Sequence, residues 1–199
     1  VHIARADGRE ERLLARAVID ASGTWATPSP AGGSGLPALG EKAAADRITY
    51  RVPDLTSPAV RARYAGRRTA VIGSVAESDD GAGTKGVWIL RRGISGSTFG
   101  GGEADQLPAR GALGLAAKAA VDEGHADAVT GFRTEAIERD PDGRLILVGE
   151  DGRRLDPVDE VIVLTGFRPD LSFLDELRLG LAERLQAPVA LAPLIDPNQ

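Results

Sequence analysis

The sequence predicts an α/β fold with an antiparallel β-meander, on three observations. Three short apolar runs read as strands that stop at glycine-containing junctions: Arg68–Ile72 before Gly73, Gly86–Leu90 before Arg91, Arg92 and Gly93, and Val161–Leu164 before Thr165 and Gly166. Leu113, Leu115, Ala116, Ala119 and Ala120 give residues 110–123 a loosely helical apolar face, and Gly124 is a natural stop. Three strand candidates, Ala128–Thr130, Thr134–Glu138 and Arg144–Val148, come with strong turn signals at Asp140-Pro141-Asp142-Gly143 and Glu150-Asp151-Gly152.

The remaining elements are taken in chain order. Ala6-Asp7-Gly8-Arg9 is a turn between two short strands, the second carried by the apolar run Leu13–Ile19. Residues 27–40 hold Pro28, Pro30, Gly32, Gly33, Gly35, Pro37 and Gly40 and read as irregular connecting chain. Residues 42–46 suit one helical turn, and Pro53 and Pro58 break the stretch after it. Residues 94–102 are Gly/Ser-rich loop. Residues 175–184 suit a short helix in a tail rich in Leu and Pro. A repeat is visible: Val18-Ile19-Asp20-Ala21-Ser22-Gly23-Thr24 and Val161-Ile162-Val163-Leu164-Thr165-Gly166-Phe167 share an apolar strand, a small hydroxyl residue and Gly.

Composition narrows the function. The 199 residues carry a net charge of −5, which argues against general nucleic-acid binding. No apolar run approaches the ~20 residues of a membrane helix, and charges recur from Arg5 to Arg16 where a signal peptide would be apolar. These features predict a cytoplasmic protein with no nucleic-acid and no membrane partner. With no cysteine there is no disulfide framework, thiolate metal site or dithiol redox centre. His2 and His125 are the only histidines, so a histidine-rich zinc site is excluded and no acid–base pair is placed. No metal ligands and no catalytic side chain are predicted. A chain with no methionine that opens on Val1 implies processing, excision or truncation.

The chemistry concentrates at two strand ends. Ala70-Val71-Ile72-Gly73-Ser74 is where a dinucleotide-binding fold opens its phosphate loop, with Gly73 and Ser74 letting backbone approach phosphate. Val75 stands where the second glycine of G-x-G-x-x-G belongs, and residues 74–86 lack an apolar helical face, so the crossover helix is expected to be missing. Two strands joined by an acidic loop explain the same residues. Arg91 and Arg92 directly follow the next strand, where arginine suits the 2′-phosphate of NADP. A solvated arginine pair is the alternative. The basic stretch 61–68 (Arg61, Arg63, Arg67, Arg68) reads as a solvated turn, and Trp25 and Trp88 read as packing residues.

Together these stretches resemble FAD- and NAD(P)-dependent flavoprotein oxidoreductases with two dinucleotide-binding domains. The likeness is nearest to the flavin-containing monooxygenase-like group and the related pyridine nucleotide-disulfide oxidoreductase superfamily. It rests on residues 18–25 with the Pro-rich stretch after them, on 64–74, on 88–93, and on 161–170. The absence of cysteine points away from the disulfide-reductase branch. The resemblance implies residues 1–45 as a partial FAD-binding domain, 46–160 as an NAD(P)-binding-like domain, and 161–199 as the return to the FAD domain. It implies FAD and NADP as cofactors. With cofactor and a small-molecule substrate as its partners in the intact enzyme, Ser22, Gly23, Thr24, Thr165 and Gly166 would lie near the flavin through backbone, Arg168 and Asp170 would be cofactor-binding residues of the second strand-end motif, and Gly73, Ser74, Arg91 and Arg92 would face NADPH phosphates. The implied reaction is hydride transfer from NADPH to FAD, with a monooxygenase outcome as one form. The strand, glycine-rich loop and helix of the FAD site are expected to lie outside these residues. Two readings result: a portion of such an enzyme, or a truncated non-catalytic remnant that acts at most as a weak nucleotide-binding or interaction module.

Overall fold

A computed structural model describes residues 1–73, 85–93, 108–182 and 187–195. The chain divides into two compact units, Thr27–Arg168 and Val1–Ala26 with Pro169–Gln199. Ser74, the segment 74–84 and the loop 94–102 lie outside the described residues, as do 183 and 184 of the expected tail helix.

The larger unit is built on a five-stranded parallel sheet. Its strands are β4 (Ile48–Thr49), β5 (Arg68–Gly73), β6 (Lys85–Ile89), β7 (Ala126–Val129) and β10 (Glu160–Leu164), in the order β4-β10-β5-β6-β7. Every neighbouring pair is parallel. Strand side chains alternate between two buried faces, which is why the central strands read as continuous apolar runs. Ala70, Ile72, Val87, Ile89, Val161 and Val163 join one core cluster with Leu145, Leu147 and Phe132. Val71, Trp88, Leu90 and Ile162 join the other with Tyr64, Val60 and Val121.

The second face is covered by α1 (Pro58–Tyr64) and the end of α2 (Pro108–Asp122). The first face is covered by an antiparallel hairpin, β8 (Thr134–Arg139) with β9 (Leu145–Gly149), together with a 3-10 helix at Lys42–Arg47.

Several elements differ from expectation. The expected three-stranded meander is a two-stranded hairpin: β7 lies in the parallel sheet against β6, and isolated bridges from Leu145 to Val158 and Val148 to Arg154 run along β9 instead. A strand that returns through a helix such as α2 is free to pair parallel. β4 and β10 extend the sheet on the side of β5 away from β6. Pro58 opens a helix as its first residue rather than breaking the chain, because its missing N–H is one that helix starts leave unpaired anyway. Residues 27–40 contribute a strand, β3 (Thr27–Pro28), paired with β11 (Phe167–Arg168).

In the smaller unit, β1 (His2–Ala4) and β2 (Glu10–Arg12) form a hairpin across the expected turn at Gly8, whose φ is +82°, with the second strand at Glu10–Arg12 rather than in the apolar run after it. The expected strand over Leu13–Ile19 is not formed. Leu14 and Ile19 are each 90% exposed, and an apolar run with neither partner strand nor core gains nothing from extending. Residues 172–177 form a 3-10 helix, and a short hairpin, β12 (Leu181–Ala182) with β13 (Ala187–Pro188), follows where a helix over 175–184 was expected.

Candidate functional site

The C-terminal ends of β5, β6 and β10 meet at a cleft of about 460 Å³. From β5 the chain adds β6 and β7 on one side and returns to place β10 on the other, between β5 and the edge strand β4. The gap between β5 and β10 is therefore a topological switch point, the position at which open α/β sheets bind ligands. The cleft has an apolar floor of Ile72, Ile89, Leu90, Phe132 and Leu164. One wall is Ser29 to Gly35 and the rim is Arg91, Arg92 and Gly93.

Four predicted residues line this cleft: Gly73, Arg91, Arg92 and Thr165. Gly73 ends β5 at a φ of +140°, and a Cβ there would meet the Leu164 carbonyl oxygen at 2.4 Å. Only glycine lets the ends of β5 and β10 come this close. Arg91 and Arg92 are exposed and have no carboxylate partner among the described residues. By contrast Arg133, Arg139, Arg144, Arg153 and Arg154 are all ion-paired. Among the described residues no Asp or Glu lines the cleft, so its charge is that of two guanidiniums, which suits phosphate.

The other predicted residues do different work. The Thr165 hydroxyl donates to the carbonyls of Ser29 and Pro30, each at 3.0 Å. The carbonyl of Gly166 accepts from the Ser29 amide at 2.8 Å, and Arg168 donates to the Gly35 carbonyl at 3.1 Å. These three fasten residues 29–35 to the end of β10. Ser22, Gly23 and Thr24 lie in the smaller unit on exposed to half-buried irregular chain. Asp170 accepts from the Ser172 side chain and amide, which hold its carboxyl below the usual range.

The glycine wall was not singled out in the sequence. Its signal is the run Pro30-Ala31-Gly32-Gly33-Ser34-Gly35 followed by the lone acid Glu41. A Cβ on Gly32 would meet the Leu36 carbonyl oxygen at 2.0 Å, and one on Gly33 would meet the Arg133 Cβ at 2.7 Å. Gly33 donates its amide to the Thr134 carbonyl at 2.8 Å. Glu41, only 2% exposed, takes the amides of Ala31 at 3.1 Å and Ala38 at 2.7 Å and the Tyr50 hydroxyl at 2.7 Å. Burial, then the bond to Glu41, push the Tyr50 hydroxyl's pKa up. Phe132 was also missed. The Arg153 guanidinium lies 5.2 Å from its ring centroid and donates to the Gly131 carbonyl at 2.6 Å. Thr134, 3% exposed, keeps its hydroxyl without a hydrogen-bond partner among the described residues.

A parallel sheet covered by helices on one face and by a hairpin on the other, with an arginine-rimmed cleft where its strand order reverses, makes this a mixed α/β fold. No protein-family model matches the sequence, and no curated protein matches it. Solved structures do share its fold. Bacillithiol disulfide reductase Bdr (YpdA) from Bacillus cereus matches with a TM-score of 0.66 at 21% identity, over 94% of this chain and 52% of that one. Putidaredoxin reductase, in its covalent complex with putidaredoxin, matches at 0.51 and 20% identity, over 91% of this chain and 41% of that one. A NAD-dependent persulfide reductase from A. fulgidus matches at 0.50 and 19% identity, over 78% and 28%. The chain thus spans about half, or less, of the structures it resembles. Among the described residues no helix is long and apolar enough to cross a membrane, and no group of three acidic or histidine side chains could hold a metal.

Proposed function

We propose that this chain is the nicotinamide-nucleotide-binding portion of an FAD- and NAD(P)H-dependent oxidoreductase, with NADP(H) in the cleft at the ends of β5, β6 and β10. The carrying observation is Arg91 and Arg92 at the end of β6, free of carboxylates among the described residues, on a cleft whose described lining contains no acid. Their forked guanidiniums would take the 2′-phosphate of NADP(H). Gly73 would let the backbone come close to the dinucleotide, and the apolar floor would exclude water around its rings. NADPH, when bound, supplies a hydride. The acceptor implied by the sequence resemblance is FAD. Reductase chemistry fits this reading better than oxygenation, because the three proteins sharing the fold are described as reductases or a reductase complex. With no cysteine in the sequence, no dithiol relay runs through these residues.

Calorimetric titration of the full chain with NADPH and with NADH tests this. Tighter binding of NADPH is expected. Replacing both arginines with alanine should weaken NADPH by at least about 100-fold, given roughly 1.5–3 kcal/mol for each charged contact, and leave NADH nearly unchanged. Equal affinity for the two nucleotides, or an NADPH affinity indifferent to the arginines, defeats the proposal. The second reading, a weakly binding non-catalytic module, draws on residues 74–84 being the whole connection from β5 to β6. Incubation with FAD, desalting and a visible absorbance spectrum separate the two. A retained flavin band supports the enzyme reading, and a colourless folded chain supports the module.

A further inference from the structure

We infer that Glu41 is a positioning residue that sets the shape of the glycine wall, and through it the affinity of the cleft for its anionic ligand. Glu41 does not line the cleft. It is buried, and no Arg, Lys or His pairs with it among the described residues. A buried carboxylate of this kind is stable only when its oxygens are filled by donors. Here the donors are the amides of Ala31 and Ala38, which bracket the glycine stretch of the wall, with the hydroxyl of Tyr50, the residue after β4. The segment between these anchors contains three glycines and one proline and has no helix or strand of its own. Such a segment holds one shape only where its backbone groups are tied. Its middle hangs from the Thr134 carbonyl through Gly33, and its exit is bridged to β8 by the Leu39 amide on the Glu135 carbonyl at 2.9 Å and by the Ile137 amide on the Leu39 carbonyl at 2.7 Å. Among the described residues Glu41 is the one side chain that binds both Ala31 and Ala38, and three of the residues between them, Gly32, Gly33 and Gly35, form cleft surface.

Charge and geometry make opposite demands, which makes the inference testable. A carboxylate beside an anion site repels the anion, so neutralising it by Glu41→Gln should by Coulomb attraction alone tighten binding. An amide nitrogen in place of one oxygen would instead face a backbone N–H and release one end of the wall. The inference rests on the nucleotide reading of the cleft, and the experiment separates the two. Hydrogen exchange and NADPH titration are measured on the full wild-type chain, Glu41→Gln and Tyr50→Phe, at a temperature where each is folded by circular dichroism.

For Glu41→Gln, exchange at Ala31 and Ala38 should accelerate about tenfold beyond any change at Val71 in the core. The NADPH Kd should rise about tenfold. Tyr50→Phe keeps the carboxylate and removes one donor, and should raise the Kd about threefold, which serves if the glutamine variant does not fold. Unchanged or tighter binding in either folded variant overturns the inference, as does weaker binding without faster exchange at those two amides. A wild-type chain that binds no NADPH overturns the nucleotide reading and the ligand half of this inference together. Exchange at Ala31 and Ala38 then decides the clamp alone.

Discussion

Trp88 donates its indole N–H to the carbonyl of Gly73 at 2.8 Å, tying the middle of β6 to the last residue of β5. Its side chain is 1% exposed and packs with Val71, Leu90 and Ile162 on the helix-covered face. One residue therefore fills a core layer and fixes the strand end that forms part of the cleft. Trp88→Phe keeps most of the apolar volume and removes the donor. It should lower stability by about 1–3 kcal/mol, read as an earlier urea midpoint, and also weaken NADPH. An affinity unchanged in the folded variant would separate the packing role from the site.

Gly73→Ala tests the same strand end from the backbone side. At a φ of +140° a side chain is strained, and its Cβ would stand 2.4 Å from the Leu164 oxygen and 2.7 Å from the Leu164 carbonyl carbon. Both atoms are backbone of β10, so relief requires the two strands to part. A cost of about 1–3 kcal/mol in unfolding free energy is expected from strain of this type. Gly66→Ala is the control. It too has positive φ, +68°, but has open space around it and lies away from the cleft. It should lose stability without losing nucleotide affinity.

The strands that carry the site were legible because both their faces are buried. Val161 to Val163 and Val87 to Leu90 have no polar side chain to accommodate apart from the Trp88 indole N–H, and their ends at Thr165 and Arg91 marked the cleft. Pairing was less legible. Turn signals around Asp140 and Gly152 show which segments are consecutive, and β7 chose its partner through the helix before it, which local turns do not reveal. Leu13–Ile19 shows the converse: apolar character alone makes no strand where, among the described residues, no core covers it. The basic stretch 61–68 hid a buried partner far along the chain. Arg63 and Arg67 reach Glu160 at 2.6 and 3.1 Å, and Arg47 joins them at 3.4 Å. The glycine wall escaped notice because its order depends on Glu41, a contact that glycine-rich composition cannot show.

Glu160 begins β10 at the end of the sheet opposite the cleft and is 2% exposed. Removing its charge by Glu160→Gln leaves three arginines sharing a partly buried space with the exposed Asp46, 3.7 Å from Arg47, as the nearby carboxylate. Breaking a buried ion pair costs about 3–5 kcal/mol, and because these guanidiniums are about a third exposed and can take water, about 2–4 kcal/mol is expected here. Arg63→Ala should cost less, since Arg47 and Arg67 still satisfy the carboxylate. Chemical unfolding of both variants checks the order, and a larger loss from Arg63→Ala would contradict it. Nucleotide affinity of the folded Glu160→Gln chain should be unchanged, because the network and cleft sit at opposite strand ends.

The β8–β9 hairpin should make the fold sensitive to acid. The Arg154 guanidinium bonded to Glu138 holds its carboxyl below the usual 4.5. The Arg153 amide and guanidinium hold Asp151 below 3.8. At Asp140, partial burial works upward but is outweighed by the Arg144 amide and guanidinium, so it too lies below 3.8. Each carboxyl thus has a lower pKa folded than unfolded, and the unfolded chain binds more protons between the two values. The stabilisation is complete above the unfolded pKa values and is lost as pH falls through the folded ones. Urea midpoints should therefore hold steady above about pH 5 and fall below about pH 4. Arg154→Ala should return the Glu138 titration, followed by carboxyl NMR shifts, toward 4.5. A wild-type Glu138 that already titrates at 4.5 or above would show that the Arg154 contact is not held in solution.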